Sequence, residues 1–295
     1  MMQNSWKPNK WAAAGLSFLA APLGMLYVAR IGLAVLYLLL LVSIGFMQYW
    51  LDTKGYSFPL YYVLAVVAII HAYHIAARAH DIDPRPWHSR WYGLLLVAAT
   101  MIVSVILFRV FLFEPYRVPS QSMVPSIPGQ SYVWVKKLGY GNYAGYGMRL
   151  ARGEVSVPIN RGDVLAFEYP RDRTTHYVMR VIGLPGDDVV YRDKQLIVNG
   201  KRLSVAPFGA HDQLRIANEE NYLIAHEPGL PAKDFNAKIE PGHLFVLGDN
   251  RDNASDSRYW GQVPYDHVVG KVVLVLKNEE TTPAVTTDQP QTSSR

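Results

Sequence analysis

Two serines in the segment "EPYRVPSQSMVPSIPGQ", Ser120 and Ser122, stand between Pro119 and Pro125, with Pro128 just beyond. Proline fixes φ and stiffens a loop, so these hydroxyls could be held in place instead of sampling solvent. A positioned serine hydroxyl can attack a carbonyl if another group takes its proton. Three further blocks follow: "RGDVLAF" (161–167), "RVIGLPGD" (180–187) and "GDNRDNASDSRYWG" (248–261). The chain has no cysteine, which excludes thiolate nucleophiles, disulfides and Cys-based zinc sites.

What positions these blocks begins with a membrane region, 1–113, that is almost continuously apolar. Three segments, 31–50, 59–79 and 93–113, each approach the roughly 20 residues needed to cross a hydrocarbon core. Aromatic residues collect at their ends, as interfacial belts do. A shorter stretch, 12–28, contains Pro22 and Gly24 and is expected to break there into a re-entrant or interfacial segment, with a fourth span as the alternative. The connection between the last two spans carries Arg78, Arg85 and Arg90, whereas the one before it carries only Lys54. The positive-inside rule then puts the Arg-bearing loop in the cytoplasm and the chain after Phe113 outside. Arg109, near the outer end of the last span, is expected to snorkel to the interface. His71 and His74, three apart on one helix, read as polar residues near the end of a span and not as metal ligands.

From Glu114 the pattern changes to period two. "SYVWVKK", "DVLAFEY", "THYVMRVIG", "QLIVNGKRL", "HLFVLGD" and "VVGKVVLVL" read as strands, and Asn199-Gly200 as a two-residue hairpin turn. The expected architecture is N-terminal transmembrane helices followed by a mainly antiparallel β domain, 114–277, with long loops or an insertion near 200–239. A polar tail, 278–295, is expected to be disordered. The net charge of +5 is scattered, with no Lys/Arg stripe among aromatics, which argues against a nucleic-acid partner and for an anionic bilayer. No metal or organic cofactor site is visible.

In this order, and behind a membrane anchor, the four blocks resemble the bacterial type I signal peptidases, over residues 114 to about 275. The resemblance implies an external serine endopeptidase of the inner membrane, multi-pass here, that removes signal peptides from exported preproteins after small residues in an Ala-x-Ala pattern. It implies Ser122 as nucleophile, Ser120 as the hydroxyl that supports the oxyanion, and Arg180, Asp256 and Arg258 as braces of the active-site strands. Ser122 lies nine residues past Phe113, close enough to the anchor to suit a cut near the bilayer surface.

Two positions depart from the family pattern. The general-base lysine is replaced by Met179, whose thioether cannot take a proton. The serine that orients that lysine is replaced by Ala254. His176 is the substitute to weigh, but its odd offset from Met179 sends it to the opposite face of a strand. Tyr177 shares the face of Met179 and lies about 7 Å along the strand. Lys136 and Lys137 belong to another strand, where one of them faces solvent. Two readings stay open: an enzyme that still cleaves, and a silent homologue that binds preproteins or a membrane partner.

Overall fold

The computed structural model describes residues 5–53, 56, 58–82, 84–208, 211–215, 222–226 and 233–276. The expected tail, 278–295, lies outside them. The chain divides into two compact units, 1–106 and 107–295.

The first unit holds α1 (Lys10–Leu19), α2 (Ala21–Tyr27), α3 (Ile31–Thr53), α4 (Leu60–Ala77) and most of α5 (Trp91–Leu107). Among the described residues, three stretches are long and apolar enough to cross a membrane: Ile31–Gln48, Leu60–Ala77 and Trp91–Leu112. The stretch expected to break at Pro22 and Gly24 does break, but at Ala20. Pro22 sits in the first turn of α2, where its missing N–H costs nothing. Gly24 is a packing contact and not a breaker: a β-carbon there would lie 1.8 Å from Ser17 Oγ of α1. The two short helices thus fold back on each other. Ala68, Ala72 and Ala76 repeat every four residues on α4 and are buried with Ala13 of α1, so small residues let these helices approach closely.

The second unit is built of strands. They are β1 (Phe113–Val118), β2 (Ser131–Lys136), β3 (Asn142–Gly145), β4 (Met148–Arg152), β5 (Val164–Tyr169) and β6 (Asp172–Gly183). After them come β7 (Asp188–Arg192), β8 (Gln195–Val198), β9 (Lys201–Arg202), β10 (Ser204–Phe208), β11 (His211–Arg215) and β12 (Tyr222–Ile224). The last four are β13 (Phe235–Lys238), β14 (His243–Leu247), β15 (Val263–Pro264) and β16 (Val268–Leu276), with a one-turn helix α6 (Ser257–Trp260) before β15.

The main sheet is antiparallel in the order β1-β2-β16-β5-β6-β14-β15. Its inward residues, among them Val133, Val135, Leu165, Phe167, Val181 and Val246, form one core. A second core, with Tyr191, Leu196 and Phe245, lies where the four-stranded sheet β13-β7-β8-β9 joins it. Asn199 and Gly200 take φ of 52° and 74° and turn β8 into β9, the expected hairpin. The stretch expected to hold long loops or an insertion contributes the small separate sheet β10-β11-β12; residues 209–210, 216–221 and 227–232 are outside the description.

Candidate active site

Ser120 and Ser122 sit in the connection from β1 to β2. The loop is closed at its base by Gln130 N–H donating to the Val118 carbonyl at 2.8 Å. It is anchored from below by Met123 and Ile127, both buried in the main core, with an Ile127 N–H to Met123 carbonyl bond of 2.8 Å between them. Burying each of these side chains contributes about 1.5–3 kcal/mol, enough to fix a short loop. The Ser120 and Ser122 hydroxyl oxygens end 3.1 Å apart. The backbone N–H of Ser122 makes no hydrogen bond among the described residues, so it is available to a ligand oxygen.

The chain after β14 clamps this loop from the other side. Asn250 N–H donates to the Ser122 carbonyl at 3.0 Å, and Asn250 Nδ2 to the Gln121 carbonyl at 3.2 Å. Gly248 permits the approach: a β-carbon there would meet the Ser122 carbonyl oxygen at 2.6 Å and Ala254 Cβ at 2.4 Å.

The three expected braces are all inside the fold. Arg180 grips the buried Asp249 through both carboxylate oxygens, at 2.8 and 2.6 Å. It also donates to the Gly162 carbonyl and to Ser126 Oγ at the far side of the serine loop. Arg258 grips Asp256 in the same forked way, at 2.8 Å on each oxygen. Asp256 caps α6 and accepts Gly248 N–H at 3.2 Å. Bidentate Arg–carboxylate pairs fix geometry as well as charge. Asp249, Gly248 and Asn250 were not singled out in the sequence, although they lie in the "GDNRDN" run; their partners are far away in the chain.

Strand β1 is held by a buried ion cluster. Glu114 receives Lys137 Nζ at 2.8 Å, Arg109 Nε at 3.0 Å and the Tyr116 hydroxyl at 2.7 Å. Burial alone would raise the Glu114 carboxyl, but the donors, Lys137 first, outweigh it and hold it below the usual range. Tyr116 is pushed up by burial and by the Glu114 charge. Arg109 therefore does not simply snorkel: it pairs with Glu114 and lies 4.2 Å over the Tyr146 ring. Lys136 faces solvent, whereas the Lys137 amine is occupied by Glu114 and the Ala144 carbonyl.

A groove of about 740 Å³ runs between Tyr116–Ser122 and Thr175–Met179, with Ala166 in its lining and Asp252–Ser255 at its border. Both walls offer free backbone. β1 is an edge strand, and β14 pairs with β6 only through Arg180, Val181 and Gly183. Asp172–Met179 is thus open on that side among the described residues.

Met179 opens onto this groove and into the core, with 3% of its surface exposed, and Ala254 borders the same groove at 7%. Neither can accept a proton. Tyr177, across from Phe167, is stacked on Tyr169 at 4.8 Å and packs against Trp260. His176 pairs with Glu168 across the strands and lies against Tyr116, ring centroids 5.6 Å apart. It lines the groove as well, because the strand itself is the wall, so the odd offset does not remove it from the site. Desolvation pushes its imidazole below the ordinary value, against an upward pull from Glu168 and Glu114. Asp252, at the border, is paired with Lys194 at 2.7 Å. The hydrogen bond of Ser122 Oγ given by the structure is to Ser120 Oγ.

Residues 90–277 match the family model described as Signal peptidase, peptidase S26. Relatives named "Signal peptidase I" include one from Pseudomonas fluorescens, 36% identical over 62% of this chain and 71% of its own length. One from Pseudomonas aeruginosa is 36% identical over the same shares, and one from Bacillus caldolyticus is 31% identical over 62% of this chain and 85% of its own. Nearly two thirds of the sequence, including the serine loop, both walls of the groove and every clamp just described, falls inside that match, and the chain belongs to the signal peptidase family of serine endopeptidases that remove signal peptides.

Proposed function

We propose that Ser122 is the nucleophile, that Ser120 Oγ and the Ser122 N–H receive the oxyanion, and that Arg180, Asp256 and Arg258 brace the site without reacting. The substrate is the leader segment of an exported preprotein, lying extended in the groove and adding backbone hydrogen bonds to the free edges of β1 and β6. In an extended chain the first and third residues before the cut share one face. Toward Ser122 that face would meet Val118, Ala166, Val178 and Met179, which suits small side chains and an Ala-x-Ala pattern. The unit 107–295 lies on the external side of the inner membrane, a reading that rests on the Arg-rich connection before α5.

The observation that carries this reading is the 3.1 Å pair of hydroxyls beside an open groove. The same groove limits the rate, since Met179 and Ala254 supply no proton acceptor. Losing one member of a serine-based unit costs several powers of ten, while the oxyanion hole and binding can leave about 10³–10⁴-fold over water. Turnover is therefore slow and leader binding is retained. The second reading, a silent binder of preproteins, is favoured by that same pair of residues.

Incubation of the purified protein with an Ala-x-Ala preprotein separates the two. Slow cleavage that disappears in Ser122→Ala supports the peptidase. Cleavage that persists in Ser122→Ala would overturn Ser122 as nucleophile, and no cleavage with undiminished leader binding would establish the silent homologue.

A further inference from the structure

The first unit carries a charged cavity that the peptidase reading does not use. The chain runs out through α3 and back through α4, so the start of α3 and the end of α4 come to the same end of the pair. A cavity of about 640 Å³ at that end is lined by Arg30, His71, His74, Arg78, His80 and Asp81, among others.

The backbone fixes where the first of these side chains starts. After α2, Ala29 takes a φ of 58°. Its N–H donates to the Leu26 carbonyl at 3.0 Å, and Arg30 N–H donates to the Met25 carbonyl at 2.9 Å. These two bonds form a Schellman closure. Arg30 then accepts Ala34 N–H at 3.0 Å and starts α3. The Arg30 backbone is thus fixed between two helices.

The arginines at this end divide into two groups. Arg85 donates to the Ser89 carbonyl and to Ser89 Oγ, and its guanidinium lies 3.8 Å over the Trp6 ring. Arg90 reaches the Tyr92 hydroxyl at 3.4 Å. Arg30 and Arg78 have no hydrogen bond or ion pair through their side chains among the described residues, although Asp81 lines the same cavity. Among the described residues, two arginines and one carboxylate thus line the cavity, with His74 and His80 beside them; His71 is tied to the Tyr37 hydroxyl at 3.0 Å.

We propose that this cavity binds a phosphate group clamped by Arg30 and Arg78. The planar fork of each guanidinium matches two phosphate oxygens. The site lies at the end of helices that span the hydrocarbon, which is the depth of lipid headgroups, and basic pockets between spans suit anionic headgroups. A phospholipid headgroup is thus the favoured source, and free phosphate the other.

The test uses the full chain in detergent, with native mass spectrometry of bound phosphatidylglycerol, and of phosphatidylcholine as the zwitterionic comparison. The wild-type protein should retain one phosphatidylglycerol in preference to phosphatidylcholine. Arg30→Gln/Arg78→Gln should weaken that binding about tenfold or more, and Arg30→Lys/Arg78→Lys should keep much of it. Displacement by millimolar inorganic phosphate, with the same dependence on the two arginines, would support the phosphate site and identify free phosphate as its source. Equal phosphatidylglycerol retention in wild-type and glutamine variants, with no effect of phosphate, would overturn it. Should the glutamine pair fail to fold, Arg78→Gln alone carries the same comparison. Leader cleavage is not the readout, so the result stands apart from the peptidase reading.

Discussion

The carbonyl oxygen of Ser122 lies 2.6 Å from the point a β-carbon on residue 248 would occupy, and Gly248 leaves that point empty. The serine loop and the chain after β14 are more than a hundred residues apart in sequence. This contact brings them close enough for Asn250 N–H to reach the Ser122 carbonyl.

Gly248→Ala should force that contact apart. The new methyl would also meet Ala254 Cβ, so neither side can yield cheaply. Overpacking of this kind costs about 1–3 kcal/mol. Thermal denaturation of the full protein should show the loss, and leader cleavage should fall by more than the stability change explains. Unchanged cleavage would mean that the carbonyl clamp does not set the serine's position.

Met179→Lys with Ala254→Ser should raise the cleavage rate by several powers of ten, because it supplies the acceptor and its orienting hydroxyl. The new amine would be as buried as Met179 is now, which pushes it below its ordinary value of about 10.4. A folded pKa below the unfolded one gives stability that is full above the unfolded value and lost as pH falls through the folded one. The double variant should therefore cleave faster as pH rises through the folded pKa, and should unfold more easily as pH is lowered from 10 to 6. The wild type should show neither trend above the range in which histidines titrate. A double variant that cleaves no better would leave more than the base missing.

The Arg180–Asp249 pair is buried at both ends. Removing one partner strands a charge, at about 3–5 kcal/mol, whereas replacing both by apolar residues often costs little. Arg180→Met and Asp249→Leu should each be strongly destabilising in urea titrations, and the double variant markedly less so than their sum. Additive losses would show that each residue acts through other contacts. Since Arg180 also reaches Ser126, both single variants should lower leader cleavage as well.

Much of this site was legible in the sequence because its blocks have unusual compositions and keep their order. The serine loop, the groove-lining Met179 and Ala254, and the buried Arg180, Asp256 and Arg258 could be named without coordinates. What escaped was pairing over distance. The alternation of β2, carried one residue past its end, turns Lys137 inward, but its carboxylate partner, Glu114, belongs to the neighbouring strand. That strand itself went unread because Pro115 interrupts it, and Pro is tolerated there since β1 is an edge. Pro22 misled in the opposite direction: a proline in a first turn starts a helix and does not end one.

His176 offers the most direct check on whether the groove holds a hidden base. Its ring leans on Tyr116, and desolvation holds it below its ordinary value near 6.5, although the residue remains exposed overall. Glu168 and Glu114 pull it upward and Lys137 downward, so the net shift tests which effect wins. An NMR titration should place its midpoint below 6.5. With the folded pKa depressed, its share of stability is full above the unfolded value and is lost as pH falls through the folded one. His176→Asn should flatten that part of the acid limb and leave slow leader cleavage at neutral pH within a few-fold. A collapse of cleavage in His176→Asn, together with a rate that follows the imidazole titration, would identify His176 as the proton acceptor and displace the account in which Met179 leaves Ser122 without one.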